Sequence, residues 1–153
     1  MRSFRTELSI VGVLLGFGIW FAFVEFVEPA ILENLVTPSD GNIQDWTVPF
    51  MNSQHIALAI GLSLAVIWHI VARRSSGRHS DRRILWIISW ALCVAASLSL
   101  EATTLSEANE GVEFAYILGF LNGLAPFWLG TSWCTAGACK YAPLGAGNLR
   151  GAF

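Results

Sequence analysis

Apolar residues dominate four long stretches of the chain, and polar residues gather between them. The stretches "LSIVGVLLGFGIWFAFV" (8–24), "IALAIGLSLAVIWHIV" (56–71), "ILWIISWALCVAASLSL" (84–100) and "FAYILGFLNGLAPFWLGTSW" (114–133) each lack Asp, Glu, Lys and Arg. With their flanks, each reaches the about 17 to 25 residues that a helix needs to cross a bilayer core. Lipid offers an exposed backbone no hydrogen bonds, so helices are the spanning form available to an open chain. The pattern predicts an all-α integral membrane bundle of four transmembrane helices, with spans at about 8–30, 54–72, 84–101 and 113–133 in a single domain covering residues 1–153. The first stretch is longer than a secretory h-region, and "VEPAILENL" has no small-x-small cleavage site, so it is expected to remain as a span.

Composition agrees: of 153 residues, 54% are hydrophobic and 13% charged, against about 25% charged in a soluble domain. The charges also carry a direction. Arg2, Arg5, Arg73, Arg74, Arg78, Arg82, Arg83, Lys140 and Arg150 all fall on one side of a four-span arrangement, which makes both termini and the "RRSSGRHSDRR" loop cytoplasmic. The opposite loops hold Glu33, Asp40, Asp45, Glu107 and Glu110. Trp68, Trp86, Trp128 and Trp133 are expected to form an aromatic belt at the cytoplasmic interface with their indole N–H groups wet. The five arginines of the loop anchor topology at anionic headgroups; nucleic-acid binding is not expected.

Small residues mark expected helix contacts. Gly12-x-x-x-Gly16, Gly119-x-x-x-Gly123 and the series Ala57, Gly61, Ala65 allow backbones to approach closely. His69 continues that last series and should lie at a helix interface, and fourteen residues bring His55 to within about 40° of the same face. Asn122 should seek a partner on another helix, and Pro126 should kink the fourth span.

Three groups carry candidate chemistry. His55 and His69, about 21 Å apart along a helix axis, are cofactor-binding candidates. Their spacing resembles that in di-haem b-type cytochromes, where one helix offers a histidine to each of two haems. This chain departs from that pattern because His79 lies in the basic loop, so a second axial ligand for each haem would have to come from another copy or subunit. Glu25, Glu28, His55, Glu101 and Glu113 come from four helices at about one depth, a candidate transition-metal or proton site. Cys134 and Cys139 form a C-x4-C pair that cannot complete a zinc site alone, and Cys93 reads as a small core residue.

Between the first two spans, Pro38, Asp40-Gly41 and Pro49 supply turn chemistry for a long loop that could cover the bundle end. Walker, dinucleotide-glycine, H-E-x-x-H and G-x-S-x-G motifs are absent, so no enzyme class is indicated. The leading expectation is an accessory or structural subunit of a larger membrane complex, of redox or oxygenase type. The alternatives are a small oligomeric proton or cation transporter using the outer-rim glutamates, and a metal or haem protein using His55 and His69. The expected partners are the bilayer and other membrane subunits, or further copies of the chain.

Overall fold

The computed structural model describes residues 2–35, 37–38, 43–74, 79–104, 108–110, 112–133 and 142, with side chains placed for 10–35, 47–72, 82–103, 112–133 and 142. Cys134, Cys139, the His79 side chain and most of the basic loop lie outside them. The elements in chain order are α1 (Arg2–Phe26), α2 (Glu28–Leu35), β1 (Thr37–Pro38), α3 (Ile43–Arg74), α4 (His79–Thr104), β2 (Ala108–Glu110) and α5 (Val112–Trp128), which runs into a π-helical turn, Leu129–Trp133. Four segments are long and apolar enough to cross a membrane: Ile10–Leu35, Thr47–Ala72, Arg82–Thr103 and Val112–Trp133. This is an all-helical membrane bundle.

The spans are apolar outside as well as inside, as lipid requires: Ile19, Ile67, Ile84 and Ile117 are all exposed on their helices. What distinguishes the inner faces is size and polarity. On α3 they carry Phe50, Ser53, Gln54, Ala57, Leu58, Gly61, Ala65, Trp68, His69 and Ala72, spaced by three and four residues as one face of a helix demands. The small-residue seams are interfaces. A methyl group on Gly16 would strike the backbone of Gly130 at 2.7 Å, and one on Gly123 would lie 2.5 Å from Val94 Cα. Phe17 fills the space that Gly61 and Gly130 leave open.

Prolines shape three places. Pro29 has no N–H to continue the helix, and α1 gives way to α2 through a turn at Val27. Bonds from Val27 N to Phe23 O (2.9 Å) and from Ile31 N to Val27 O (3.2 Å) bridge the break, so the two helices form one span. Pro126 likewise precedes the widening of α5 into its π turn, where Thr131 Oγ1 donates back to Phe127 O at 2.6 Å. Pro49, read from the sequence as a turn residue, instead sits inside α3, which begins at Ile43. Burial of Phe50 and Ser53 against the bundle outweighs one missing backbone bond. β1 and β2 pair antiparallel, Thr37 with Glu110, and join the connections at this end of the bundle.

The tryptophan belt needs correction. Trp133 is exposed, but Trp68 and Trp86 have no exposed surface. Their N–H groups are satisfied by protein rather than water: Trp68 Nε1 donates to Arg82 O (3.1 Å) and Trp86 Nε1 to Thr131 Oγ1 (2.8 Å). The first ties the end of α3 to the start of α4; the second ties α4 to the π turn. Trp86→Phe should therefore lower the thermal unfolding midpoint in detergent by several degrees. The lost hydrogen bond contributes about 1 kcal/mol, and the smaller ring leaves a void between Trp90 and Phe127.

Candidate functional site: a polar core at the acidic end

The four spans bring a chain of polar side chains to the axis of the bundle, in the half that ends in glutamates. Glu28 from α2, Gln54 from α3, Ser97 and Glu101 from α4, and Asn122 from α5 are all buried. Trp20 of α1 begins the chain: its Nε1 donates to Asn122 Oδ1 at 2.7 Å. Asn122 Nδ2 donates to Gln54 Oε1 at 2.9 Å, and Gln54 Nε2 donates to Glu101 Oε1 at 3.2 Å.

Chemistry fixes the direction of this relay. An indole nitrogen only donates, so the Asn122 oxygen must face Trp20 and its NH2 must face Gln54. Gln54 then has to offer its own NH2 to Glu101. Each bond polarises the next in a low-dielectric interior, and the relay ends on a carboxyl oxygen. Ser97 Oγ donates to Gly119 O at 2.7 Å, and Gln54 Nε2 also lies 3.4 Å from Ser53 Oγ.

Gly119 makes room for Glu101. A side chain at that position would occupy the volume of the Glu101 carboxyl group, so a carboxylate on α4 can lie against the backbone of α5 only because the residue there is glycine. Glu28 lies beside Asn122 and within electrostatic range of Glu101. Neither Glu28 oxygen has a donor at hydrogen-bonding geometry among the described residues. The arginines with placed side chains, Arg82 and Arg83, belong to the opposite end of α4. Nineteen residues of helix, about 28 Å, separate Arg82 from Glu101.

The five residues singled out as one metal or proton set divide into separate groups. Glu28 and Glu101 enter the core. Glu25 and His55 form their own pair, with His55 Nε2 at 2.6 Å from Glu25 Oε1, on the flank between α1 and α3. Glu113 is exposed on the first turn of α5. Among the described residues no three His, Cys, Asp or Glu side chains lie close enough together to hold a metal ion. Glu25 belongs to the last turn of α1 and Glu28 opens α2, on either side of the turn at Val27, so the two side chains leave different helices.

The two histidines also have different surroundings. His69 is buried beside Trp68, at the interface where the small-residue series placed it, whereas His55 is half-buried against Phe21. Neither is brought to another described histidine, and the ligand set of a di-haem helix is not assembled within the described residues.

Sequence reasoning placed Asn122 in search of a partner but did not single out Trp20, Gln54 or Ser97. A signal was present: Gln54 is one turn before Ala57 on the small-residue face, and Ser97 is one turn before Glu101. No known protein family, characterised protein or solved structure matches the chain.

Proposed function

We propose that the chain is a small membrane transport protein that takes up and releases a proton, or a monovalent cation in its place, at Glu28 and Glu101. One observation carries this reading: two carboxyl groups lie wholly inside a membrane bundle, within electrostatic range of each other, with the described arginines at the other end. A buried carboxylate without a compensating positive charge is costly, and ionisable groups at membrane depth usually mark ion or proton paths. Gln54 occupies Glu101 Oε1 as a donor. The exchangeable proton is assigned to the Glu28–Glu101 pair.

The distribution of arginines supports placing the termini and the basic loop in the cytoplasm. The acidic end then faces the opposite compartment, and the glutamate pair exchanges with that side. The direct test is proton uptake by liposomes containing the purified chain alone, driven by a potassium diffusion potential and read with an internal pH dye. Uptake well above that of empty liposomes is expected; a rate equal to theirs overturns the reading.

Membership of a larger complex is a second reading. Val11, Leu15 and Ile19 form an exposed apolar ridge at four-residue spacing on α1, a surface suited to a neighbouring transmembrane helix. Stoichiometric co-purification of other chains after mild detergent extraction tests it, and isolation of the chain alone in stable form counts against it.

A further inference from the structure

The oxygen and nitrogen of an Asn or Gln side chain are nearly equal in size, so packing leaves a buried carboxamide two orientations and its hydrogen bonds select one. In the polar core that selection starts at Trp20. Its indole N–H can only donate, so Asn122 turns Oδ1 to Trp20 (2.7 Å) and Nδ2 to Gln54 Oε1 (2.9 Å). Gln54 is left facing Glu101 with Nε2, at 3.2 Å. The neighbouring hydroxyls hold this order less firmly. Ser97 Oγ lies 3.3 Å from Gln54 Oε1, but its shorter bond is the one it donates to Gly119 O, at 2.7 Å. Ser53 Oγ donates to Phe50 O at 2.7 Å and meets Gln54 Nε2 at 3.4 Å, beyond the usual length of an N–H···O bond.

A proton and a metal cation ask different things of such a core. A proton needs one lone pair on a carboxyl oxygen. Na⁺ leaves its water only where several oxygens replace the hydration shell. Here both carboxamide oxygens are turned to N–H donors, Asn122 Oδ1 to Trp20 and Gln54 Oε1 to Asn122, and Glu101 meets an N–H whose hydrogen carries partial positive charge. Turned over, the same two side chains would set Gln54 Oε1 against Glu101 Oε1. Two acceptors face to face are reconciled by a cation between them.

We propose that Trp20 determines the ion specificity of the Glu28–Glu101 site: its indole N–H holds Asn122 and Gln54 with nitrogen toward Glu101, so that the site takes protons and excludes Na⁺. Trp20 is a positioning residue, acting through the two carboxamides. The inference rests on the transport reading and names the ion.

The test compares proton uptake with uptake of radiolabelled Na⁺ in liposomes containing the full chain, under the same potassium diffusion potential. The native chain is expected to take up protons, with Na⁺ uptake equal to that of empty liposomes. In Trp20→Phe, which keeps an aromatic ring against Phe23 but has no N–H, the ratio of Na⁺ to proton uptake should rise at least about tenfold. A purely structural role for Trp20 would lower both rates and leave their ratio alone. Replacing the indole by benzothiophene, which has sulfur in place of N–H and the same shape, gives the same comparison without loss of packing. Na⁺ uptake by the native chain above that of empty liposomes, or a ratio that neither replacement raises, would overturn the specificity proposal and leave proton transport standing. Absence of proton uptake by the native chain would overturn both.

Discussion

Proton uptake by proteoliposomes is expected to fall at least about tenfold in Glu101→Gln and in Glu28→Gln, a change of at least about 1.4 kcal/mol in the effective barrier. The amide keeps the size and shape of the carboxyl group but carries no exchangeable acid proton. In Glu101→Gln, the side-chain oxygen can still accept from Gln54 Nε2, so the relay that begins at Trp20 is preserved. Removing a buried charge costs nothing in desolvation, and both variants should unfold at or above the native temperature.

This separates lost transport from lost structure. Gln54→Leu should do the reverse in part: it leaves Asn122 and Glu101 without their carboxamide partner, each a cost of about 1 to 3 kcal/mol, and lowers the unfolding temperature. Glu33→Gln, on the exposed face of α2, is the control with unchanged flux. Native rates in both Glu28→Gln and Glu101→Gln would remove these carboxyl groups from the path.

The largest expected loss of stability is at the contact between α4 and α5. Gly123→Ala should cost about 1 to 3 kcal/mol, in the range for overpacking a tight interior, and Gly123→Leu should prevent recovery of a folded protein in detergent. The reason is the kind of atom in the way. A Cβ at Gly123 lies 2.5 Å from Val94 Cα and 2.9 Å from Cys93 O, both backbone, which cannot swing aside as a side chain can. Separating the helices to make room would also pull Asn122 away from Gln54 and Ser97 away from Gly119 O, two of the bonds that hold the polar core. Gly18→Ala is the counter-case, with nothing near the added methyl group and no expected change in unfolding temperature. Thermal unfolding of the native chain, Gly123→Ala and Gly18→Ala in the same detergent compares them, and the yield of folded protein reads Gly123→Leu; equal midpoints for Gly123→Ala and native chain would show that the helices are not held at this distance.

The sequence by itself determined the number of spans and the faces on which they meet. Four charge-free runs of membrane length leave the backbone no alternative to helices, and spacing by four residues places Gly16, Gly61, Ala65, His69 and Gly123 on contact faces however the helices are ordered. Charge gave the two ends of the bundle opposite character in the same way, because hydropathy and charge are summed along the chain and need no neighbour.

The tertiary structure alone decided which polar residues meet. Glu25 and Glu28 are three positions apart in the sequence, yet one pairs with His55 on the flank and the other turns to the axis near Glu101. That difference depends on where α3 and α4 stand around α1, which periodicity within one helix cannot express. Trp68 and Trp86 look like interface residues by position and become core residues because the Arg82 carbonyl and the Thr131 hydroxyl come within reach of their N–H groups. Gln54 is inconspicuous in the chain and central in the fold, since its amide both accepts from Asn122 and donates to Glu101. Hydrogen bonds are short and directional, so a sequence can require that a buried amide find partners, while only the packing of the helices selects them.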